Sequence, residues 1–348
     1  MDSLYKRRVF VLGAGFSAAA GIPMTDALLK QALCLMRSEC SGIYSRIESY
    51  AKICFENKLE LLNQDLGFYG FKKLSSYLHY IEMTEHGGGE RWSNEGSREI
   101  LTLRYFISKA ISKLTPEKVP KLYLEFAKQI DCHDVILTFN WDCLLERSLE
   151  AVGKDYTYDH NEISYKNHPN RVFIVKMHGS INWSLSGQAD DRVYKKSFDP
   201  SMDLKPFYYS NSLIKNDMWN LDNTWLCPID SKYFIQPFLV LPGIGKSYDV
   251  RKLGFFWDRP AGYFFSARDA VIIGLSLNED DFFIRFLLLD SFPLGEWDEV
   301  RRRTVIINPN IEDLANYKFI TEDKKIVRNK EFDLSDIEFF SKLRTSQN

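Results

Sequence analysis

The chain has 348 residues, enough for one large domain or two modest ones, and its composition is typical of a folded globular protein. A net charge of −2 excludes the basic footprint of a nucleic-acid-binding protein, and no apolar run reaches the roughly 20 residues that span a bilayer. The start of the chain, MDSLYKRR, is not followed by an apolar stretch of signal-peptide length, so we expect a cytoplasmic protein.

The first predicted element is a buried strand that runs into a glycine turn. Val9 to Leu12 are apolar, and Gly13-Ala14-Gly15 follow at once. Ser17 to Gly21 are small, so a helix beginning here would leave its N–H groups accessible to a phosphate. The stretch is a candidate diphosphate cradle, although an ordinary strand-to-helix turn has the same pattern. No acidic strand end follows about 20 residues later, which disfavours a nicotinamide dehydrogenase.

Residues 30–130 are predicted to form a helical insertion. Apolar residues recur at three- and four-residue spacing in TDALLKQALCLMR, YSRIESYAKICFENKLELL, FKKLSSYLHYIEMTE, SREILTLRYFISKAISKL and PKLYLEFAKQI. Thr25 and Ser97 are the expected N-caps of two of these helices, and the glycine-rich link from His86 to Gly96 is expected to be exposed. Residues 1–29 and 131–348 would supply the Rossmann-like part of one unit spanning 1–348.

After Asp131, short apolar strands alternate with helices. The predicted strands are Val135–Leu137, Arg171–Lys176, Ala270–Ile273 and Thr304–Ile307. The helices between some of them include DCLLERSLEAV and EDDFFIRFLLLDSF. This alternation predicts an α/β fold with a doubly wound, mostly parallel sheet that is covered on both faces. In such a sheet a ligand lies beyond the carboxyl ends of the strands.

Polar residues follow all four of these strands. They are Asn140 and Asp142, His178 with Gly179-Ser180, Gly274 with Ser276, and Asn308. Each has an ordinary structural alternative: Asn140 and Asp142 could cap the next helix, the histidine could be a satisfied core residue, and Ser276 and Asn308 could be turn residues. Their shared position at strand ends favours a single ligand site.

A second glycine-rich stretch, Leu241 to Ser247, ends in Gly-Lys-Ser like a phosphate-binding P-loop. The P-loop spacing requires glycine at position 240, where Val240 stands. An NTPase is therefore a weak alternative, and Lys246 is instead a candidate for closing the dinucleotide site.

Together, the motifs resemble the sirtuin family in their order and approximate separation. They are GAGFS and GIP (13–17 and 21–23), TFNWD (138–142), HGS (178–180), GLSL (274–277) and IN (307–308). The chain departs from sirtuin deacylases at Phe139, at Trp141 and at Met24-Thr25-Asp26, and its six cysteines contain no C-x-x-C pair for zinc. It is therefore more similar to the sirtuin-like effectors of bacterial antiphage defence, which cleave NAD⁺ and lack the zinc.

The resemblance implies a role for each motif. The N–H groups around Gly13, Ala14, Gly15 and Ser17 would hold the diphosphate of NAD⁺, with Gly21 and Pro23 beside them, and Gly274, Ser276 and Asn308 would contact the adenosine half. Asn140 would hold the ribose hydroxyls or orient water, Asp142 would contact the nicotinamide carboxamide, and His178 would be the general base. Water would then release nicotinamide and ADP-ribose, with no metal involved.

The resemblance also implies partners. We expect a homo-oligomer and a second protein such as a HerA-like ATPase, because the chain offers no separate sensor domain; no nucleic acid or membrane is expected to bind. The helical insertion and the aromatic stretch from Phe207 to Trp225 are candidate contact surfaces. A sensor that binds NAD⁺ or ADP-ribose without cleaving it, and an NAD-dependent protein deacylase, are the alternatives.

Overall fold

The computed structural model describes residues 8–55, 67–84, 97–158, 171–185, 236–252, 262–263, 267–277, 281–291, 303–320 and 325–345. The chain forms two compact units. The first unit comprises Met1–Ile22, Pro116–Met177 and Phe256–Asn348, and the second comprises Pro23–Thr115 and His178–Phe255. The division predicted at residues 30 and 130 stays a prediction.

Nine strands lie within the described ranges: β1 Arg8–Leu12, β2 Val135–Thr138, β3 Asp155–Thr157, β4 Arg171–Lys176, β5 Gly179–Leu185, β6 Gln236–Leu239, β7 Asp269–Ile273, β8 Arg303–Ile307 and β9 Lys325–Arg328. Seven of them form one sheet in the first unit, in the order β3-β4-β2-β1-β7-β8-β9. Every neighbouring pair in this sheet is parallel. The sheet therefore winds outward from β1 in both directions, which confirms the predicted doubly wound α/β fold.

The central strands are buried along their whole length, which is why their sequences read as unbroken apolar runs. Successive residues of β1, β2 and β7 are all buried, although their side chains point alternately to the two faces of the sheet. Both faces are therefore covered, as parallel sheets require. The predicted strand Arg171–Lys176 matches β4, whereas β3, β5 and β9 were not predicted because they lack such a run.

The described helices of the first unit are α1 Ala14–Ala18, α6 Lys121–Gln129, α7 Leu144–Ala151, α9 Phe282–Ser291, α10 Ile311–Ala315 and α11 Leu334–Thr345. Aromatic rings hold part of this layer to the sheet. The ring of Phe10 in β1 meets Phe126 of α6 and Phe340 of α11 with centroid distances of 5.4 and 5.9 Å, both edge-on. One face of β1 is therefore covered by α6 and α11.

The second unit contains α2 Thr25–Glu39, α3 Ser41–Cys54, α4 Gly67–Thr84, α5 Ser97–Leu114 and α8 Lys246–Lys252, together with the antiparallel pair β5 and β6. The prediction of Thr25 as an N-cap is wrong: Met24 occupies that position in extended conformation, and Thr25 is the first helical residue. Ser97 is likewise the first residue of its helix. Among the described helices, none is long and apolar enough to cross a bilayer.

Candidate functional site

The carboxyl ends of the parallel strands lie along one edge of the sheet in the first unit. Hydrogen bonds continue past the strand ends: the Phe139 N–H donates to the Leu12 carbonyl and the Gly13 N–H donates to the Ile273 carbonyl, each at 2.9 Å. The segments that follow β1, β2 and β7 therefore meet. Because β1 is the strand from which the sheet winds in both directions, this is the switch point at which doubly wound sheets bind ligands.

Three glycines cross at this point with no space between their backbones. A Cβ on Gly13 would lie 2.5 Å from the Gly274 carbonyl oxygen, and one on Gly15 would lie 2.7 Å from the Gly274 Cα. Gly274 itself has φ +60°, in the left-handed region that favours glycine. The glycines of the Gly-Ala-Gly turn and Gly274 are therefore required by close backbone packing, which the sequence motif alone did not indicate.

The same crossing changes the expected role of the glycine N–H groups. The Gly13 N–H donates to the Ile273 carbonyl and the Gly15 N–H donates to the Gly274 carbonyl, each at 2.9 Å. Both donors are thus engaged within the fold. Of the residues predicted to contact a diphosphate, Ala14 with its N–H and Ser17 are the remaining candidate donors. Both lie in α1, a helix of five residues.

A hydrogen bond joins two of the predicted site residues. The Asn140 side-chain amide donates from Nδ2 to the Ser17 Oγ at 3.0 Å, and both residues are buried. The Asn140 backbone N–H donates to the Thr138 Oγ1 at 3.1 Å, which fixes the turn after β2. Asn140 is therefore held toward the glycine turn. It does not cap α7, which was its structural alternative.

The Asp142 carboxylate accepts a hydrogen bond from the start of α7, whose N-cap residue is Cys143. The Asp142 Oδ1 accepts the Leu144 N–H at 3.0 Å. The backbone carbonyl of Asp142 accepts a second bond, from the Nζ of Lys176 at 2.5 Å. Asp142 is therefore not the N-cap residue, but one of its two carboxylate oxygens stabilises the first turn of α7.

Two further residues that fix this edge were not predicted from the sequence. The Tyr123 hydroxyl in α6 donates to the Phe16 carbonyl at 2.6 Å, next to Ser17. Burial and the nearby charge of Asp142 raise the pKa of Tyr123, so its hydroxyl stays protonated. Lys176 is completely buried at the end of β4. A lysine inside the apolar run RVFIVKM was a signal of a buried ionic role, whereas nothing local marked Tyr123.

The residues after β7 and β8 are fixed to each other. The Asn308 Nδ2 donates to the Leu275 carbonyl at 3.1 Å, and the Asn308 Oδ1 accepts the Asn310 N–H at 2.9 Å. The Tyr317 hydroxyl also donates to the Leu275 carbonyl, at 2.9 Å. Asn308 therefore stabilises this turn, which is the structural role that the sequence left open for it. Ser276, which directly follows Leu275, is half-buried.

His178 begins the second segment of the second unit and directly follows Met177, which ends the middle segment of the first unit. It is half-buried, and its carbonyl accepts the Val240 N–H at 2.9 Å. Gly179 has φ +76°, and a Cβ there would overlap the Phe238 carbonyl. The glycine is needed for the pairing of β5 and β6, rather than only to let a ligand approach.

The remaining predicted residues also divide between the units. Gly21, at φ +85°, lies in the first unit, and a Cβ added to it would meet no atom within 4 Å. Pro23 is the first residue of the second unit.

The glycine-rich stretch before α8 packs against α4 in the second unit. The Ser75 hydroxyl donates to the Pro242 carbonyl, and the Ile244 N–H donates to the Ser76 Oγ at 3.1 Å. Gly245 lies against the His79 ring so closely that a Cβ would overlap it. These glycines therefore serve helix packing, which argues against the NTPase alternative.

Three side chains of types that can bind a metal lie together just before β2, near the amino ends of the parallel strands. Within the described ranges, Asp131, Cys132 and His133 place one ligand atom each within 4.8 Å of the others. Burial, followed by the hydrogen bond to Asp131, raises the pKa of Cys132 to about 11, so the thiol is protonated at neutral pH. The expectation that the protein holds no zinc stays a prediction.

Comparison with known proteins gives a family match for part of the chain. Residues 134–214 match the model of a SIR2-like domain. This stretch is similar to SIR2 proteins. The SIR2-like segment includes Asn140, Asp142, Lys176 and His178. No curated protein matches the chain by sequence.

Solved Sir2 structures are similar to the chain at low identity. A Sir2 enzyme studied for its mechanism and regulation has a TM-score of 0.45 and 15% identity over 98% of this chain and 95% of its own. A mutant Sir2 homologue in complex with 2′-O-acetyl ADP ribose has a TM-score of 0.43 and 14% identity, over 99% and 94%. Sir2Tm bound to a propionylated peptide has a TM-score of 0.40 and 14% identity, over 99% and 95%. The site assignments therefore rest on the chain's own residues.

Proposed function

We propose that this protein is an NAD⁺ glycohydrolase, which cleaves NAD⁺ to nicotinamide and ADP-ribose. The observation that carries the proposal is the bond from Asn140 to Ser17 at the switch point of a doubly wound sheet. A polar pair at this place suits a dinucleotide, since ligands of such sheets bind beyond the strand ends. The match of residues 134–214 to a SIR2-like domain supports NAD⁺ as the substrate.

In the proposed complex, residues of the first turn hold the diphosphate. The Ser17 hydroxyl accepts the Asn140 amide and keeps its own proton as a donor, so both can act on one ligand. The full binding set is Gly13, Ala14, Gly15, Ser17, Gly21, Pro23, Gly274, Ser276 and Asn308. Within it, we assign direct polar contacts to Ala14 and Ser17, and a packing role to Gly13, Gly15 and Gly274, whose N–H groups or Cα atoms are engaged within the fold.

The reaction breaks the bond between the ribose C1′ and the nicotinamide nitrogen, and the electron pair leaves with nicotinamide. Water attacks C1′ and loses its proton to the His178 imidazole, which completes ADP-ribose. Asn140 orients the water or the ribose hydroxyls, and the second carboxylate oxygen of Asp142 accepts the nicotinamide carboxamide N–H. C1′ becomes oxocarbenium-like in the transition state, so the water must be held close to it. Holding the ribose, the nicotinamide and the water in this geometry would supply a large part of the rate enhancement.

The test is nicotinamide release from NAD⁺ by the wild type and by Asn140→Ala and His178→Ala. Matched controls are Asn310→Ala, an exposed asparagine, and His133→Ala, a histidine just before β2. Both site variants should lose turnover by at least about 100-fold, and both controls should keep it. Undiminished turnover in both site variants would overturn the assignment.

The same assay separates the two alternative functions. A sensor would bind NAD⁺ or ADP-ribose without releasing nicotinamide, also in the presence of its partner protein. A deacylase would release nicotinamide only when an acylated peptide is added, and mass spectrometry would show the deacylated peptide. Release from NAD⁺ and water alone supports the glycohydrolase.

We further propose that the protein depletes NAD⁺ as the effector of an antiphage, abortive-infection system, as a homo-oligomer and with a partner such as a HerA-like ATPase. The family resemblance supports this role. An apolar face of α9 supports self-association: Phe282 and Phe286 are 59% and 62% exposed and stack with their centroids 6.1 Å apart. Phe286→Ser should reduce the mass measured by light scattering; an unchanged mass would remove this support. Cellular NAD⁺, measured after phage infection with and without the partner, tests the role itself.

A further inference from the structure

Lys176 is a charged residue with no exposed surface. It ends β4 and is 0% exposed, and a buried ammonium is costly unless it is paired and hydrogen-bonded. Its Nζ donates to the Asp142 carbonyl at 2.5 Å and to the Glu146 Oε1 at 3.1 Å. The Tyr158 hydroxyl donates to the same Glu146 oxygen at 2.9 Å. The lysine thus belongs to a buried hydrogen-bonded network with Glu146 and Tyr158.

This network spans the turn that carries Asn140. Lys176 lies opposite Thr138 in the register of β2 and β4, and the Met177 N–H donates to the Thr138 carbonyl at 2.9 Å. From that register position, the lysine side chain reaches past the turn to the Asp142 carbonyl. The turn is therefore held at its first residue by the strand ladder and at its far end by the ammonium.

The protonation state of Lys176 suits this role. Burial alone would lower its pKa, but the charge and hydrogen bond of Glu146 raise it above the ordinary value. The ammonium therefore stays charged at neutral pH and keeps its donors. A charge-assisted hydrogen bond to a carbonyl is stronger than a neutral one, so the position of the Asp142 backbone is well determined.

We propose that Lys176 is a positioning residue of the NAD⁺ reaction: by fixing the Asp142 carbonyl, it holds the Asn140 amide at Ser17. This inference rests on the proposed function. Lys176 touches no substrate in this role. It acts through the backbone of residues 139–142 and supplies a constraint that a neutral side chain of similar size cannot provide.

The test compares Lys176→Met with the double variant Lys176→Met and Glu146→Gln. The single variant leaves the buried Glu146 carboxylate without its cationic partner, so the melting temperature should fall. The double variant removes that charge and should recover most of the melting temperature. Its kcat should nevertheless stay about 100-fold below that of the wild type, with KM for NAD⁺ changed less than about threefold, because the Asp142 carbonyl still lacks its donor.

A matched control uses another buried ion pair of the same sheet, at the amino ends of the parallel strands. Arg8 in β1 pairs with Asp134 at 2.5 Å, and both side chains are buried. The double variant Arg8→Met and Asp134→Asn should lower the melting temperature but leave kcat of the folded protein unchanged. If kcat of the Lys176 and Glu146 double variant returns to the wild-type value together with its melting temperature, Lys176 is only structural and the proposal is overturned.

Hydrogen exchange gives a readout that does not depend on turnover. In the Lys176 and Glu146 double variant, amides of residues 139–143 should exchange at least about tenfold faster than in the wild type, while β1 and β7 stay protected. If the wild type cleaves no NAD⁺, the proposed function fails. Hydrogen exchange then decides by itself whether Lys176 fixes the backbone of residues 139–142. Unchanged exchange in residues 139–143 would overturn this role.

Discussion

The Asn140 amide and the Ser17 hydroxyl form a buried hydrogen bond between residues 123 positions apart in the chain. The bond joins the turn after β2 to the turn after β1, and these are neighbouring strands of the parallel sheet. It therefore ties the two turns of the first unit that carry most of the proposed chemistry.

Replacing Ser17 by alanine should weaken both the fold and the reaction. The Asn140 amide would lose its acceptor while buried, which costs about 1–3 kcal/mol in the free energy of unfolding. Because the amide would also lose its orientation, we expect kcat to fall by about tenfold or more. Urea unfolding and nicotinamide release measure the two effects. Ser38→Ala, on the exposed face of α2, is the control and should change neither. Equal effects of the two substitutions would contradict the prediction.

Gly274→Ala should disrupt the first unit. A Cβ at this position would overlap the backbone of Gly15, and φ is +60°, so strain and overlap add. We expect a loss of about 4 kcal/mol or more, in the range of the most damaging substitutions. Gly21→Ala isolates the strain, since its φ is +85° but no atom lies within 4 Å of the added Cβ. That control should cost only about 1–2 kcal/mol. Thermal unfolding of the two variants compares them, and a Gly274→Ala protein as stable as the control would rule out the tight crossing.

A buried charge cluster should stabilise the second unit. Arg104 donates to the Asp249 Oδ2 at 2.5 Å, and the His79 Nε2 lies 3.6 Å from the same oxygen. Arg104→Met should cost about 3–5 kcal/mol, because the carboxylate loses its strongest partner while buried. Adding Asp249→Asn should recover much of that loss.

The control for the charge cluster is an ion pair at the surface. Lys128 and Glu125 lie 2.7 Å apart with exposed side chains, so Lys128→Met should cost less than about 1 kcal/mol. Urea titration monitored by circular dichroism measures all three variants. If Arg104→Met and Lys128→Met lower the free energy of unfolding by similar amounts, burial does not make the charge cluster more stabilising than a surface ion pair.

Cys132 should resist alkylation at neutral pH. Because the thiolate is the reactive form and the pKa of Cys132 is raised to about 11, its labelling by iodoacetamide should rise about tenfold per pH unit between pH 7 and 9.5 without levelling off. Free glutathione, with an ordinary thiol pKa, is the reference and should react much faster at pH 8. Peptide mass spectrometry measures the labelled fraction. Labelling of Cys132 at the rate of glutathione would contradict the raised pKa.

Much of the sheet was predictable because its physical cause is local. A strand that is buried on both faces must be apolar at every position, so Val9–Leu12 and Ala270–Ile273 were found directly from the sequence. The polar residues after these strands then had to lie at one edge, since all the strands are parallel. β9 escaped prediction because its residues are half-exposed or exposed and carry no apolar run.

The contacts within the site were less predictable because they depend on residues far apart in the chain. The sequence around Gly274 does not predict its contact with Gly15, and the sequence around Asn140 does not predict its hydrogen bond to Ser17. For the same reason, the turn role of Asn308 and the hydrogen bond from α7 to Asp142 were only alternatives in the sequence. The loop from His86 to Gly96 and the stretch from Phe207 to Trp225 lie outside the described residues, so their predicted exposure and contact roles stay predictions.

The first strand of the chain pairs with β7, whose residues belong to the last quarter of the sequence. During synthesis, β1 leaves the ribosome well before β7, so it cannot gain this neighbour until the residues between the two strands have been made. The glycine crossing can form only after Gly274 has emerged. A polypeptide that ends before Gly274 therefore lacks this crossing, and any activity that depends on the crossing can begin only after β7 has been synthesised.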